Sequence, residues 1–158
     1  MSKRIFIAVD IDKLTRKNLA EVRCKLDDPR CRINWVAPEN LHVTLKFLGD
    51  VEDNELPKIC ETIKEVVAQS GPVEFEIRGV SAIPSLRFLK KLRMLWAEVD
   101  EPTSRLDAIF TKIESALEPL GFPRENRPFS PHITLARIKH IPKNVDLEKT
   151  MRKSLEQY

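Results

Sequence analysis

Apolar and polar positions switch between two periods along the chain, and the switches divide it into strands and helices. RIFIAV, Arg4 to Val9, is an apolar run of buried-strand character. Leu14, Leu19, Val22 and Leu26 then recur at near-helical spacing. LHVTLKFL, Leu41 to Leu48, predicts a second strand that Gly49 ends. Leu56, Ile59, Cys60, Ile63, Val66 and Val67 share one helical face, and Pro57 falls in the first turn, where a helix tolerates it. VEFEIRGV turns Val73, Phe75 and Ile77 inward and Glu74, Glu76 and Arg78 outward, a half-exposed strand.

The second half repeats this order. RMLWAEV, Arg93 to Val99, reads as a strand. Leu106, Ile109, Phe110, Ile113, Leu117 and Leu120 form an amphipathic helix that stops at Gly121. PHITLARI, Pro131 to Ile138, is again a strand, and Leu147, Met151 and Leu155 mark a last helix. RIFIAVD lies over RMLWAEVD, and LHVTLKFL over PHITLARI, at a spacing of about 90 positions. The repeat, about 4–83 and 93–158, predicts one α+β domain over 1–158. Its two lobes are related by a pseudo-twofold axis, each a small antiparallel sheet backed by helices. The counterpart of the strand at Val73 would fall beyond Tyr158, so the second lobe is expected to lack its C-terminal strand. A sheet edge left unpaired in this way is open to association, although a monomer is the expectation.

Composition narrows the class. At 158 residues, 42% hydrophobic and 32% charged, the chain can bury a core without metals or disulfides. Lys and Arg number 27 against 24 Asp and Glu, too even a balance for a protein that simply coats nucleic acid. Cys24, Cys31 and Cys60 are odd in number and hold no Cys-x-x-Cys pair, which argues against a disulfide framework and a zinc site and suits a reducing cytoplasm. The apolar run near the N-terminus is too short for a signal peptide, and no segment predicts a membrane span.

Two of the three histidines occupy equivalent places in the repeat, in HVTL (His42 to Leu45) and HITL (His132 to Leu135). On a strand His42 and Thr44 share one face while Val43 and Leu45 enter the core, and His132 and Thr134 do likewise. The symmetry would bring the two His-Thr pairs face to face across a groove. Two imidazoles and two hydroxyls suit chemistry on a phosphodiester. One His takes a proton from the nucleophile and the other gives one to the leaving oxygen. The hydroxyls donate to the non-bridging oxygens. No metal or other cofactor is called for.

ENLHVTLKFLG (Glu39 to Gly49) and FSPHITLAR (Phe129 to Arg137), with RIFIAVD near the start, resemble the two-histidine phosphoesterase superfamily. The likeness is to its RNA 2′,3′-cyclic phosphodiesterase branch, also called 2′-5′ RNA ligase. It covers nearly the whole chain. It implies a bilobal α+β fold with an active-site groove between the lobes, and hydrolysis of a 2′,3′-cyclic phosphate on RNA or a nucleotide to a 2′-phosphate. The catalytic pair would be His42 and His132, the phosphate-binding threonines Thr44 and Thr134, and the groove residues Phe47 and Arg137. Relatives usually carry a further C-terminal strand segment. Phe47 and Arg137 each stand five residues after their His, so strict alternation would turn them away from the groove, and a bulge or strand end has to intervene. The 2′-5′ ligase or phosphodiesterase reaction and an RNA-binding module without turnover are the alternatives.

Arg87, Lys90, Lys91 and Arg93 form a basic cluster that suits an RNA backbone or a solvated loop equally well. Trp35 is read as a packing residue before a base-stacking one. His140 reads as a surface residue.

Overall fold

The computed structural model describes residues 1–83, 93–147 and 149. Arg87, Lys90 and Lys91 of the basic cluster and Met151 and Leu155 of the last helix lie outside the described residues. The strands are β1 (Ser2–Asp10), β2 (Arg32–Trp35), β3 (His42–Glu52), β4 (Glu76–Ile83), β5 (Met94–Asp100) and β6 (His132–His140). The helices are α1 (Lys13–Leu26), α2 (Leu56–Ala68) and α3 (Arg105–Leu117). This α+β order follows the repeat, with β2 as an element that its period did not announce. Four residues are too few to show a period.

The strands form a six-stranded sheet in the order β1-β3-β6-β5-β4, with β2 also paired to β6. β6 runs antiparallel to β2, β3 and β5. One edge of β6 meets β5. Along the other, β3 pairs at Val43↔Ile133, and β2 takes over from Trp35↔Ala136 to Arg32↔His140.

The chain divides into two compact units, and each draws segments from both sequence repeats. The first comprises Met1–Val9, Thr44–Glu76 and Asp100–Pro131. There α2 packs on α3, around a core of Leu45, Val51, Ile59, Leu106, Ile113 and Leu117. Pro57 sits in the first turn of α2, as the pattern requires. After α3 a 3-10 turn over Glu118–Leu120 closes on Gly121, whose φ of 94° is the left-handed helix stop. The second unit comprises Asp10–Val43 and the described parts of Ile77–Val99 and His132–Tyr158. Its core is Leu19, Leu26, Leu41, Val43, Leu95, Ala97, Ile133, Leu135, Ala136 and Ile138. The side chain of Asp12 accepts the Thr15 N–H and caps α1.

Two boundaries depart from the pattern. Gly49 does not end its strand: with φ at +75° it bends β3, which continues to Glu52 and buries Val51. The strand expected from Val73 begins only at Glu76, because ladder pairing and not alternation decides where a strand starts, although Val73 and Phe75 are less exposed than Glu74.

In the first unit the strand after the motif buries a charge. Lys46 donates to Glu114 Oε1 of α3 at 2.5 Å and to the Pro123 carbonyl at 2.8 Å, while Glu114 Oε2 accepts the Glu125 N–H at 2.6 Å. Both side chains are almost fully enclosed. The pair fixes the segment that leads from α3 toward β6, which a face-to-face stack of Phe110 on Phe129, 4.5 Å between centroids, also holds. Removing one member strands a buried charge. Lys46→Met is therefore expected to lower stability by about 3–5 kcal/mol. Denaturant unfolding checks this, and Lys46→Met combined with Glu114→Leu should cost less than the two single changes together.

Candidate active site

The β3 to β6 register puts the first histidine beside the second motif. Val43 and Ile133 are paired and fully buried. One residue back on β3 and one forward on β6, His42 and Thr134 therefore stand opposite each other on the other face. His132 lies diagonally from His42, roughly 7–8 Å away in strand geometry. Thr44 is two residues beyond His42 on the same strand, on the same side. The motifs thus begin side by side on neighbouring strands.

A local scaffold orients His42. Its Nδ1 lies 2.6 Å from the Asn40 carbonyl oxygen. A carbonyl only accepts, so Nδ1 carries the proton. Asn40 ends a 3-10 turn over Pro38–Asn40 whose place is set by Arg16. The Arg16 guanidinium donates to the carbonyls of Pro38, Leu41 and Ile11 and to Asp10 Oδ1, the last at 2.6 Å. The Ile11 N–H bonded to the Asp10 carboxylate, and next the Arg16 guanidinium, hold that carboxyl below its usual range.

His132 is held by β5. Trp96 stands opposite Thr134 and Glu98 opposite His132 in the ladder. The Trp96 ring lies against the His132 imidazole at 4.2 Å between centroids and 36° between planes, which restricts the imidazole plane. Glu98 accepts from the Ser81 hydroxyl, and the Thr134 hydroxyl has the Met94 sulfur at 3.9 Å as a weak acceptor.

On β6 the re-phasing that the spacing demanded is present. Leu95 pairs Ala136 but Trp96 pairs Thr134, so Leu135 is an extra residue on β6. Leu135 and Ala136 are both buried, and Arg137 comes out exposed, opposite Met94 and Asn34, on the side of His132 and Thr134. β3 shows the same burial sequence over its first six residues: Leu45 and Lys46 are inside and Phe47 is outside. Phe47, 69% exposed, meets Phe6 of β1 at 6.0 Å between ring centroids.

The sequence reading did not single out Trp96, Glu98, Arg16 or Phe6. Phe6 and Trp96, about 90 positions apart like the histidines, could have been found from the repeat. Arg16 carries no signal, because three of its four partners are backbone carbonyls. Trp35 turns the other way: its indole donates to Asp27 at 2.9 Å and it lines a small pocket with Leu19, Leu41 and Leu135, a packing role. His140 is exposed at the end of β6, and Arg93 is exposed before β5. Among the described residues no three His, Cys, Asp or Glu side chains are grouped to hold a metal ion, and no helix is long and apolar enough to cross a membrane.

With this geometry in view, comparison with known proteins is specific. The family model of LigT-like phosphoesterases matches residues 9–90 and 97–156, and the chain belongs to that family. The RNA 2′,3′-cyclic phosphodiesterase of Methanothermobacter thermautotrophicus is 33% identical over 146 residues, 92% of this chain and 76% of the relative. That of Archaeoglobus fulgidus is 34% identical over 150 residues, 95% of this chain and 80% of the relative. Among solved structures, TT0787 of Thermus thermophilus superposes with a TM-score of 0.77 at 28% identity, covering 90% of this chain and 78% of its own. E. coli LigT complexed with 3′-AMP gives 0.67 at 27% identity, with 92% and 77% covered.

A lowered carboxyl pKa stabilises the fold above the unfolded value and ceases to do so as pH falls through the folded one. Asp10→Asn should therefore melt below the wild type from about pH 5 upward, with the gap closing on acidification below about pH 3.9. Thermal unfolding across pH checks this.

Proposed function

We propose that this chain hydrolyses the 2′,3′-cyclic phosphate of an RNA end to a 2′-phosphate, with His42 and His132 as the acid-base pair and no metal ion taking part. The observation that carries the reading is the register: it sets His42 opposite Thr134 and diagonal to His132 on one sheet face. Family membership and the names of the relatives support the same chemistry.

In this reaction one imidazole Nε2 takes a proton from water as its oxygen bonds to phosphorus. The other histidine donates a proton to O3′ as the P–O3′ bond breaks, leaving a 3′-hydroxyl and a 2′-phosphate. Proton transfer by a positioned group contributes about 10² to 10⁴ in rate. Thr44 and Thr134 donate to the non-bridging oxygens, where charge builds in the five-coordinate transition state. Arg137 adds a charge-assisted contact to phosphate, and Phe47 an apolar face for the nucleoside. Because the four motif side chains supply both proton transfers and charge stabilisation, a metal has no step to perform.

Turnover of a 2′,3′-cyclic nucleotide by the wild type in excess chelator tests the reading. Activity should persist in chelator and show a bell-shaped dependence of kcat/KM on pH whose limbs belong to the pair jointly. His42→Ala and His132→Ala should each lower kcat by at least about 10². Full activity in either variant, or loss of wild-type activity in chelator that added metal restores, overturns it. Arg16→Gln, which releases the turn under His42, should lower kcat more than it raises KM.

A further inference from the structure

Beyond the motif, β6 and β2 continue the same face as a row of cations. Asn34 stands opposite Arg137, and two residues further along β2 Arg32 stands opposite His140. The register slips between Arg32 and Ile33, so Lys139 is an extra residue on β6, and Lys139 and His140 together face Arg32. Ile33 pairs Ile138, which is buried on the opposite side with Ala136, so the outward side of this ladder is Arg137, Asn34 and Arg32. All of these polar residues are exposed, and neither strand contains an acidic residue. Arg16 and Arg30 are tied to Asp10 and Asp28, whereas no described residue makes an ion pair with Arg32, Arg137 or Lys139.

We propose that Arg32 and Lys139, beyond Arg137, form a track for the phosphates on the 5′ side of the reacting nucleotide, so that the preferred substrate is an oligoribonucleotide and not a mononucleotide. The inference rests on the cyclic-phosphate reading for the placement of the 3′ end at His42 and His132. Two residues along a strand advance about 6.6–6.8 Å, so Arg137 and Lys139 set cations one after the other along β6 for a backbone that runs beside it. The strand direction leads from the motif through Arg137 to Lys139, and contacts of this kind give affinity without sequence preference.

The test compares uridine 2′,3′-cyclic phosphate with a short oligouridylate ending in the same group, using the wild type and the variant Arg32→Gln/Lys139→Gln. Lys13→Gln/Lys17→Gln, two exposed positions of α1, is the charge-matched control. The track predicts that Arg32→Gln/Lys139→Gln leaves kcat/KM on the mononucleotide unchanged and lowers it about tenfold on the oligonucleotide. The control should match the wild type on both. Direct titration of a labelled oligouridylate should show the log-log salt slope smaller by about 1.4, or about 0.7 for each lost phosphate contact. Equal effects on both substrates, or a wild-type salt slope in the variant, overturn the track. So does weakened binding of polyglutamate with RNA binding unchanged, which would assign the patch to an acidic protein. Absence of turnover in the wild type with the slope still reduced in the variant would overturn the hydrolytic reading and leave the track standing.

Discussion

The pairing of Val43 with Ile133 is the constraint on which the site depends. Side chains alternate along a strand, so a slip of one residue would turn His42 into the core and Val43 into solvent. Burial makes that slip costly. Val43, Ile133, Ala97 and Leu95 are fully buried on the inward side, and a one-residue slip of β3 would turn Val43 out of that layer. The outward side of the same ladder carries His42, Thr134, His132, Trp96 and Glu98. The chemistry of the face is thus set by packing on its reverse.

A second constraint follows from strand parity. Arg137, five positions after His132, comes out on the histidine side because Leu135 is an extra residue on β6. On β6 the inward place goes to Ala136, paired with Trp35 on β2. On β3 the matching place holds Lys46, which is buried only because Glu114 and the Pro123 carbonyl receive its ammonium. The same burial sequence thus places a small apolar side chain inside on β6 and one member of a buried ion pair on β3. The ion pair also ties down the segment that precedes the other motif.

Much of this was legible in the sequence. The strand and helix order, the α+β class and the two His-x-Thr strands follow from period and repeat, because these elements bury long one-sided faces. The need for a re-phasing after each motif followed from counting from His42 to Phe47 and from His132 to Arg137. What was not legible depends on contacts distant in the chain. β2 is too short to show a period, and it exists because β6 offers it an edge. Gly49 looks like a terminator, yet a left-handed glycine can also bend a strand that goes on. Arg16 acts through a backbone turn and leaves no mark in composition or spacing.

Phosphorus NMR of a 2′,3′-cyclic nucleotide turned over in ¹⁸O-labelled water addresses the central claim, that one sheet face holding two histidines carries out hydrolysis. A single product is expected, the 2′-phosphate bearing one solvent-derived oxygen, formed by the wild type and absent with His42→Ala or His132→Ala. A 3′-phosphate product, a product without solvent oxygen, or undiminished product formation by either variant would contradict it.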